Sequence, residues 1–403
     1  MSKRQRNTFR LNPEQEKQAA KMAATFAWNS CNFLAGTIAP ASADAAANDI
    51  ESIELAFEQF AKLDPEMELI VQVKHMGSRA TLYLHRDFEK SYATTRNGFQ
   101  IKPREGKEAA TREELHANPD LCDRYLRIRE AMYAQWKKVY GDDGWAFDTT
   151  DVVILDTELM PWSIIGKDLI KREFTEYAEV HRYEDTMIEQ LGFYSQHSSR
   201  NEEAARGLQD RLLTARHGLE QFEQQVDIFG ADDQVEFRPF NILKYVRNDG
   251  TEKVVMDNNL HNYEIVGDAP FAVVKAGDWE SNDSLKLLQN YVQKFNMEGV
   301  VIKPAIYPEG PCGVPPYIKV RNPDYLHIIY GHEYRNIIAL KKLISKKDIH
   351  NKLNASIKQY QMGHELLGIS YASISPQSDT YFEKVREIIR RVILDEQSID
   401  PAL

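Results

Sequence analysis

The chain has 403 residues, of which 42% are hydrophobic and 28% charged, the balance of a globular protein long enough for one large core or two ordinary ones. A net charge of −11 argues against indiscriminate binding to phosphate polymers but leaves room for a local basic groove, because counterion release depends on the contacting surface. No apolar run reaches the roughly 18 residues of a membrane helix, residues 1–10 lack the apolar segment of a secretory signal, and Cys31, Cys122 and Cys312 lack zinc-ligand spacing and read as free thiols, so a cytoplasmic protein with no membrane partner is expected.

In chain order, Asn12-Pro13-Glu14 reads as an N-cap followed by proline at the first helical position, opening a helix to about Asn32. The alanine-rich stretch 39–47 reads as a loop or a frayed helical linker. Segments 68–74 and 79–85 are apolar-rich and flank Gly77, the pattern of a hairpin-like pair of strands. Strand signals recur at 151–156, 237–245, 271–274, 299–303 and 317–320. Residues 168–229 are rich in Glu, Gln, Arg and Leu and poor in glycine and proline, which predicts a helical module set into the strand-rich core. Its acidity suits a protein-docking or lid element. Residues 336–403 again read as helical: Ile337, Ile338, Leu340, Leu343 and Ile344 are spaced for one face, and Ile388, Ile389, Val392 and Ile393 for another. The expected organisation is an N-terminal helical segment (1–64), a core (65–335) interrupted by the helical insert, and a C-terminal helical module (336–403).

The chemistry concentrates in a few segments. Val73-Lys74-His75-Met76-Gly77-Ser78-Arg79 puts a lysine at a strand end, where its amine can act as a nucleophile. Gly77 lets the backbone turn close to a bound nucleotide. A lone K-x-x-G is common by chance, and an ordinary lysine before a turn is its bland reading. The ordered set of segments downstream of Lys74 carries the weight. Thr95-Arg96-Asn97-Gly98 is a turn bearing a cation. Asp156-Thr157-Glu158 ends an apolar strand and precedes Leu159-Met160-Pro161-Trp162. Phe240 is an aromatic at the start of a strand. Glu298-Gly299-Val300-Val301-Ile302-Lys303 places a carboxylate and a cation at opposite ends of a buried strand. In Tyr317-Ile318-Lys319-Val320-Arg321 the two cations share a face, because strand side chains alternate.

Taken in order, these segments resemble the six nucleotidyltransferase motifs of covalent ATP-dependent ligases and capping enzymes. More narrowly, the chain resembles the ligase module of the bacterial polynucleotide kinase–phosphatase family of RNA end-healing and sealing enzymes, over roughly residues 65–335. The resemblance implies an α+β fold with an antiparallel-sheet nucleotidyltransferase (ATP-grasp-like ligase) core, the two helical modules, and no OB domain. It implies ATP with Mg²⁺ or Mn²⁺, a lysyl-AMP intermediate on Lys74, and transfer of AMP to a 5′-phosphate end, of RNA rather than DNA, for strand sealing in RNA repair. It also implies end-healing kinase/phosphatase and methyltransferase partner proteins. No G-x-x-x-x-G-K-[ST] loop occurs, so there is no sign of the family's kinase module.

The same resemblance gives the residues their expected roles. Lys303, Lys319 and Arg321 would stabilise charge on phosphate oxygens. Glu158 and Glu298 suit a hard metal ion, with a ribose contact the open alternative for Glu158. Phe240 would stack on adenine and Arg79 reach the ribose, while Gln72 and the Val73 backbone lie at the adenine edge. Gly77 completes the nucleotide turn, and Arg96 would hold ribose or a substrate phosphate. Two alternatives stand beside this reading: a self-adenylating subunit that seals only with a partner, and a GTP-dependent capping-type guanylyltransferase, which the lack of an OB domain disfavours. The basic stretch Lys341, Lys342, Lys346, Lys347 and Lys352 is either a solvated helix face or a grip on a polynucleotide backbone.

Overall fold

Asn12 caps the first helix as expected. Its side chain accepts from the Glu14 and Gln15 amides, and its own N–H donates to Gln15 Oε1, a reciprocal capping box that starts α1 (Pro13–Trp28). The computed structural model describes residues 11–101, 119–142, 144–145, 149–165, 170–190, 202–230, 234–310, 313–346, 349–375 and 377–396. After α1 come β1 (Ala39–Pro40), α2 (Ile53–Ala61), β2 (Glu68–Lys74), β3 (Ser78–His85), β4 (Tyr92–Thr95), α3 (Pro119–Tyr140) and β5 (Thr150–Met160). A π-helical turn, Ile170–Thr175, leads into α4 (Glu176–Gln190) and α5 (Glu202–Gly230). The chain returns through β6 (Glu236–Arg247), β7 (Glu252–Val254), α6 (Asn259–Val266), β8 (Phe271–Lys275), α7 (Asp283–Lys294), β9 (Gly299–Pro304) and β10 (Ile318–Arg321). It ends in α8 (Leu326–Tyr330), α9 (Ile337–Lys346), α10 (His350–Leu367) and α11 (Asp379–Glu396).

The strands form two sheets. One runs β1-β10-β9-β2-β8, antiparallel except for the short β1–β10 pair; the other runs β4-β3-β5-β6-β7 and is antiparallel throughout. Antiparallel sheets together with helices make this a mixed α+β fold. One core cluster spans both sheets, joining Leu69, Val71 and Val73 of β2 to Tyr83, Ile154 and Leu243. β5 and β6 are sheet neighbours although α4 and α5 separate them in the chain. That helical excursion rests on the core through Leu219, Phe222 and Val226, which pack with Met76 and Tyr325.

Three expectations are corrected. β2 and β3 are not a hairpin pair, because each belongs to a different sheet. β2 is buried from Leu69 through Val73, as a strand covered on both faces must be, and it pairs with β8 and β9 instead. The turn after Lys74 therefore passes the chain from one sheet to the other. Gly77 permits this, since a Cβ there would lie 2.5 Å from Leu159 O and 2.7 Å from Glu158 Cγ. Residues 39–47 are neither loop throughout nor frayed helix: Ala39 and Pro40 pair with Ile318 and Lys319 as an added edge strand. In α9, Leu340 is buried and Leu343 and Ile344 pack against it, but Ile337 and Ile338 are 50% and 73% exposed. The apolar stripe there is narrower than the spacing suggested. In α11, Ile388, Ile389, Val392 and Ile393 are all buried, against α1. Cys31 and Cys122 are free thiols; Cys312 and Lys347 lie outside the described residues.

Candidate active site

Lys74 closes β2, opposite Gly299 at the start of β9. Gly299 has φ +149° and a Cβ there would lie 2.1 Å from Val320 O, so only glycine lets β9 start flush against β10. That tight start sets the preceding residue beside the lysine: Lys74 Nζ donates to Glu298 Oε2 at 2.7 Å. Tyr325 stands near the same carboxylate, its phenol pushed well above the usual range by burial and then by Glu298.

A cavity lies between the sheets. Gln72, Val73, Lys74 and Lys303 line it from the first sheet, and Arg79, Asp156, Glu158 and Phe240 from the second. Arg79 makes a two-point pair with Asp156, Nε to Oδ1 at 3.0 Å and Nη2 to Oδ2 at 2.6 Å, and Nη1 donates to Gly36 O at 2.9 Å. The Phe240 ring is bracketed by cations, with Arg79 Cζ 5.6 Å and Lys303 Nζ 5.0 Å from its centroid. Gln72 is buried, and its Nε2 has no hydrogen-bond partner among the described residues, so the slot offers a donor to an incoming base edge.

Burial dominates the electrostatics. It pushes the Glu158 carboxyl up to about 7, with Lys74 opposing and Glu298 adding. It pulls Lys303 down to about 7 against the attraction of Asp156, and Lys319 to about 7 with help from Arg321 and Lys74. Burial, then Arg238 and Lys74, take His75 down to about 3, so it stays neutral near pH 7. Two cations with pKa values near neutrality, on a low-dielectric wall, gain charge readily when a phosphate approaches. Glu158 and Glu298 both face Lys74. No group of three or more His, Cys, Asp or Glu that could hold a metal occurs among the described residues. Two hard carboxylates without a full protein cage fit Mg²⁺, which takes its other ligands from phosphate and water.

A second cavity adjoins the first, shares Lys74, Arg79 and Glu158 with it, and adds Gly77, Arg96 and Lys319. Arg321 stands apart. It shares a strand face with Lys319 but lines neither cavity, because its guanidinium is buried in an ion pair with Glu51, with Nε 3.0 Å from Oε1. Its reach to the site runs through Lys319, whose proton it helps to expel. Sequence reasoning passed over Asp156, Tyr317 and Glu51. Strand alternation could have found Asp156, two residues before Glu158, and Tyr317, two before Lys319. Nothing local marks Glu51.

An apposed pair of sheets that offers cations from both walls and an aromatic face between them is the architecture of a ligase-type nucleotidyltransferase. The family described as PNKP adenylyltransferase domain, ligase domain matches residues 19–377, and the chain belongs to it. Two solved structures are similar over nearly their whole length. A chain of the Pnkp1/Rnl/Hen1 complex is 25% identical with a TM-score of 0.77, covering 96% of this chain and 98% of that one. A chain of the Pnkp1/Rnl/Hen1 RNA repair complex is 26% identical with a TM-score of 0.74, covering 96% and 99%. A comparison with curated proteins finds no match. Among the described residues no helix is long and apolar enough to cross a membrane.

Proposed function

We propose that this protein is an ATP-dependent RNA ligase that carries AMP on Lys74 and passes it to a 5′-phosphate end. The observation that carries the reading is Lys74 Nζ on Glu298, at the rim of a slot whose Phe240 is bracketed by Arg79 and Lys303. Glu298 Oε2 is placed to take the proton Lys74 must lose. The free amine attacks the α-phosphorus of ATP, a P–N bond forms, and the P–O bond to pyrophosphate breaks. Lys303 and Lys319 stabilise charge on the phosphate oxygens, and Phe240 stacks on adenine with Gln72 at its edge. Arg79 reaches the ribose from its seat on Asp156. An oxygen of the 5′-phosphate end then attacks the AMP phosphorus, the P–N bond breaks, and Lys74 recovers its proton. Attack by a 3′-hydroxyl on the activated end releases AMP and seals the strand. Glu158 and Glu298 would hold Mg²⁺ (or Mn²⁺), which when bound neutralises phosphate charge. Arg321 enters only as a positioning residue for Lys319.

The similarity to chains of complexes named Pnkp1/Rnl/Hen1 supports a second element: this chain works in RNA repair beside an end-healing kinase/phosphatase and a methyltransferase. On that reading self-adenylation is its own, and sealing is completed in the assembly. The test is incubation with α-labelled ATP or GTP, then denaturing electrophoresis. Label from ATP should stay on the protein and vanish in Lys74→Ala. Label that persists in that variant would place the nucleophile elsewhere, and equal labelling by GTP would revive the capping alternative.

A further inference from the structure

The apolar face of the helical insert meets the core at segments that lead away from the candidate site. Leu219, Phe222 and Val226 of α5 share one buried cluster with Met76, two residues past Lys74, and with Tyr325, whose phenol stands near Glu298. Trp162, four residues past Glu158, packs at the edge of the same cluster and stacks on Phe174, which in turn stands edge-on to Phe222 at 6.1 Å. Phe222 is 2% exposed and has the Tyr177 ring 5.0 Å away.

The insert is also seated in one register. A Cβ on Gly218 would lie 1.9 Å from His332 O, so α5 puts bare backbone against the segment after α8, one turn before Phe222. Glycine is unfavourable inside a helix relative to alanine, and this close approach accounts for it. Tyr177 Oη and His332 Nδ1, 2.8 Å apart, tie α4 to the same segment.

The residues suited to grip a nucleotide stand elsewhere. Phe240, Lys303 and the Arg79–Asp156 pair belong to the sheets and lie outside the cluster. The insert therefore backs the Lys74–Glu298 pair rather than the Phe240 end of the slot. Close packing passes a displacement on to its neighbours, and a misplacement of about 1 Å at a reacting group can cost about a hundredfold in rate.

We infer that Phe222 is a positioning residue for adenylation: through Met76 and Tyr325 it holds Lys74 and Glu298 in register, although no described residue of α4 or α5 lines either cavity. This rests on the proposed adenylyl transfer for its chemistry and on the packing for its geometry.

The full chain is incubated with α-labelled ATP over a range of concentrations, and the rate of Lys74 labelling is followed. In Phe222→Ala the rate at saturating ATP should fall about tenfold, while the ATP concentration that gives half the maximal rate stays unchanged. Phe222→Leu, which refills most of the space, should recover most of the rate. Gly218→Ala should show the same split as Phe222→Ala, because it lifts α5 from its seat. Val180→Ala, on a part of α4 that is 56% exposed, should label at the natural rate. A fall in rate matched by a rise in the half-saturating ATP concentration would mean general loosening of the fold, and an unchanged rate would mean packing alone; either overturns the inference. Amide exchange is a second readout, independent of turnover. It should quicken at residues 75–78 in Phe222→Ala and Gly218→Ala relative to β8 and α7, which lie outside the cluster. Gly218→Ala carries both tests if Phe222→Ala does not fold. If the natural chain fails to self-label, the proposed function falls and the exchange readout alone decides the coupling; exchange that changes evenly across the chain sinks it.

Discussion

Glu158 and the lysines around it respond to burial with opposite signs, and their windows of pH do not overlap. The Glu158 carboxyl is raised from 4.5 to about 7, so between those values the folded state holds a proton that the unfolded state has released. Stability from this group is full below about pH 4.5 and is lost as pH climbs through about 7. Lys303 and Lys319 are lowered from 10.5 to about 7, so their penalty is full below about 7 and is relieved as pH rises toward 10.5. A thermal unfolding series from pH 4.5 to 7 separates the carboxylate from the lysines, and comparing variant with natural chain cancels the buried histidine His75, which shifts stability over the same range. Over that range Glu158→Gln should gain in Tm relative to the natural chain as pH rises, because it has no charge to bury. A Tm difference that stays flat would mean that Glu158 is as well solvated in the fold as in the unfolded chain. At this scale the sequence singled out Lys74, Glu158, Phe240, Glu298 and Lys303 only as part of an ordered set that resembles nucleotidyltransferase motifs; Lys74, Glu158, Phe240 and Lys303 line one slot in the structure, and Glu298 is bonded to Lys74. The sequence could not show Arg321 turned away, because the Glu51 carboxylate that holds it lies 270 residues off.

Among the elements, α10 matters more to the slot than its position near the end of the chain suggests. Gln359 Oε1 accepts from the Thr37 amide at 2.7 Å, and Tyr360, which lines the nucleotide cavity, donates to Asp257 Oδ1 at 2.7 Å. Lys244 of β6 pins the end of this helix. Its side chain is 1% exposed, and Nζ donates to Leu367 O at 2.6 Å and Ile369 O at 2.8 Å while pairing with Glu252. Removing that cation strands two carbonyls and leaves the half-buried Glu252 carboxylate to Ser370 and the Tyr371 amide, a cost of up to about 3 kcal/mol. Urea unfolding of Lys244→Met should show a loss of that order, partly recovered in the double variant with Glu252→Gln. A loss below about 1 kcal/mol, the worth of an ordinary hydrogen bond, would demote the pin to a solvated contact. Periodicity gave β2, β5, β6 and β9 their approximate extents. It missed α3, α6 and α7, which lie between strands.

Across the whole molecule, the first and last described helices close on each other. α1 and α11 pack through Phe26, Ile388 and Ile389, and Tyr381 Oη donates to Cys31 O. The C-terminal helices then present Lys341, Lys342 and Lys346 to solvent, where they can neutralise polynucleotide phosphates without reading sequence. Replacing these three and Lys347 by alanine should leave Lys74 labelling intact, weaken binding of a nicked RNA duplex, and make the dependence of binding on salt shallower. An affinity and a salt slope both unchanged would return the stretch to an ordinary solvated face. What the sequence determined by itself was local: a lysine at a strand end with a glycine three residues on, the ordered set of charged strand ends, and the side-chain alternation that puts Lys319 and Arg321 on one face. These come from residue type and from a backbone period of two, which need no knowledge of neighbours. Only the tertiary structure decided the partners. β2 and β3 part into different sheets, Glu298 reaches Lys74 across 224 residues, and Lys352 of the terminal helices lines the second cavity while Lys341, Lys342 and Lys346 face water. Such pairings depend on which buried surfaces meet when distant segments close, and a one-dimensional pattern records how much each segment must bury but not against what.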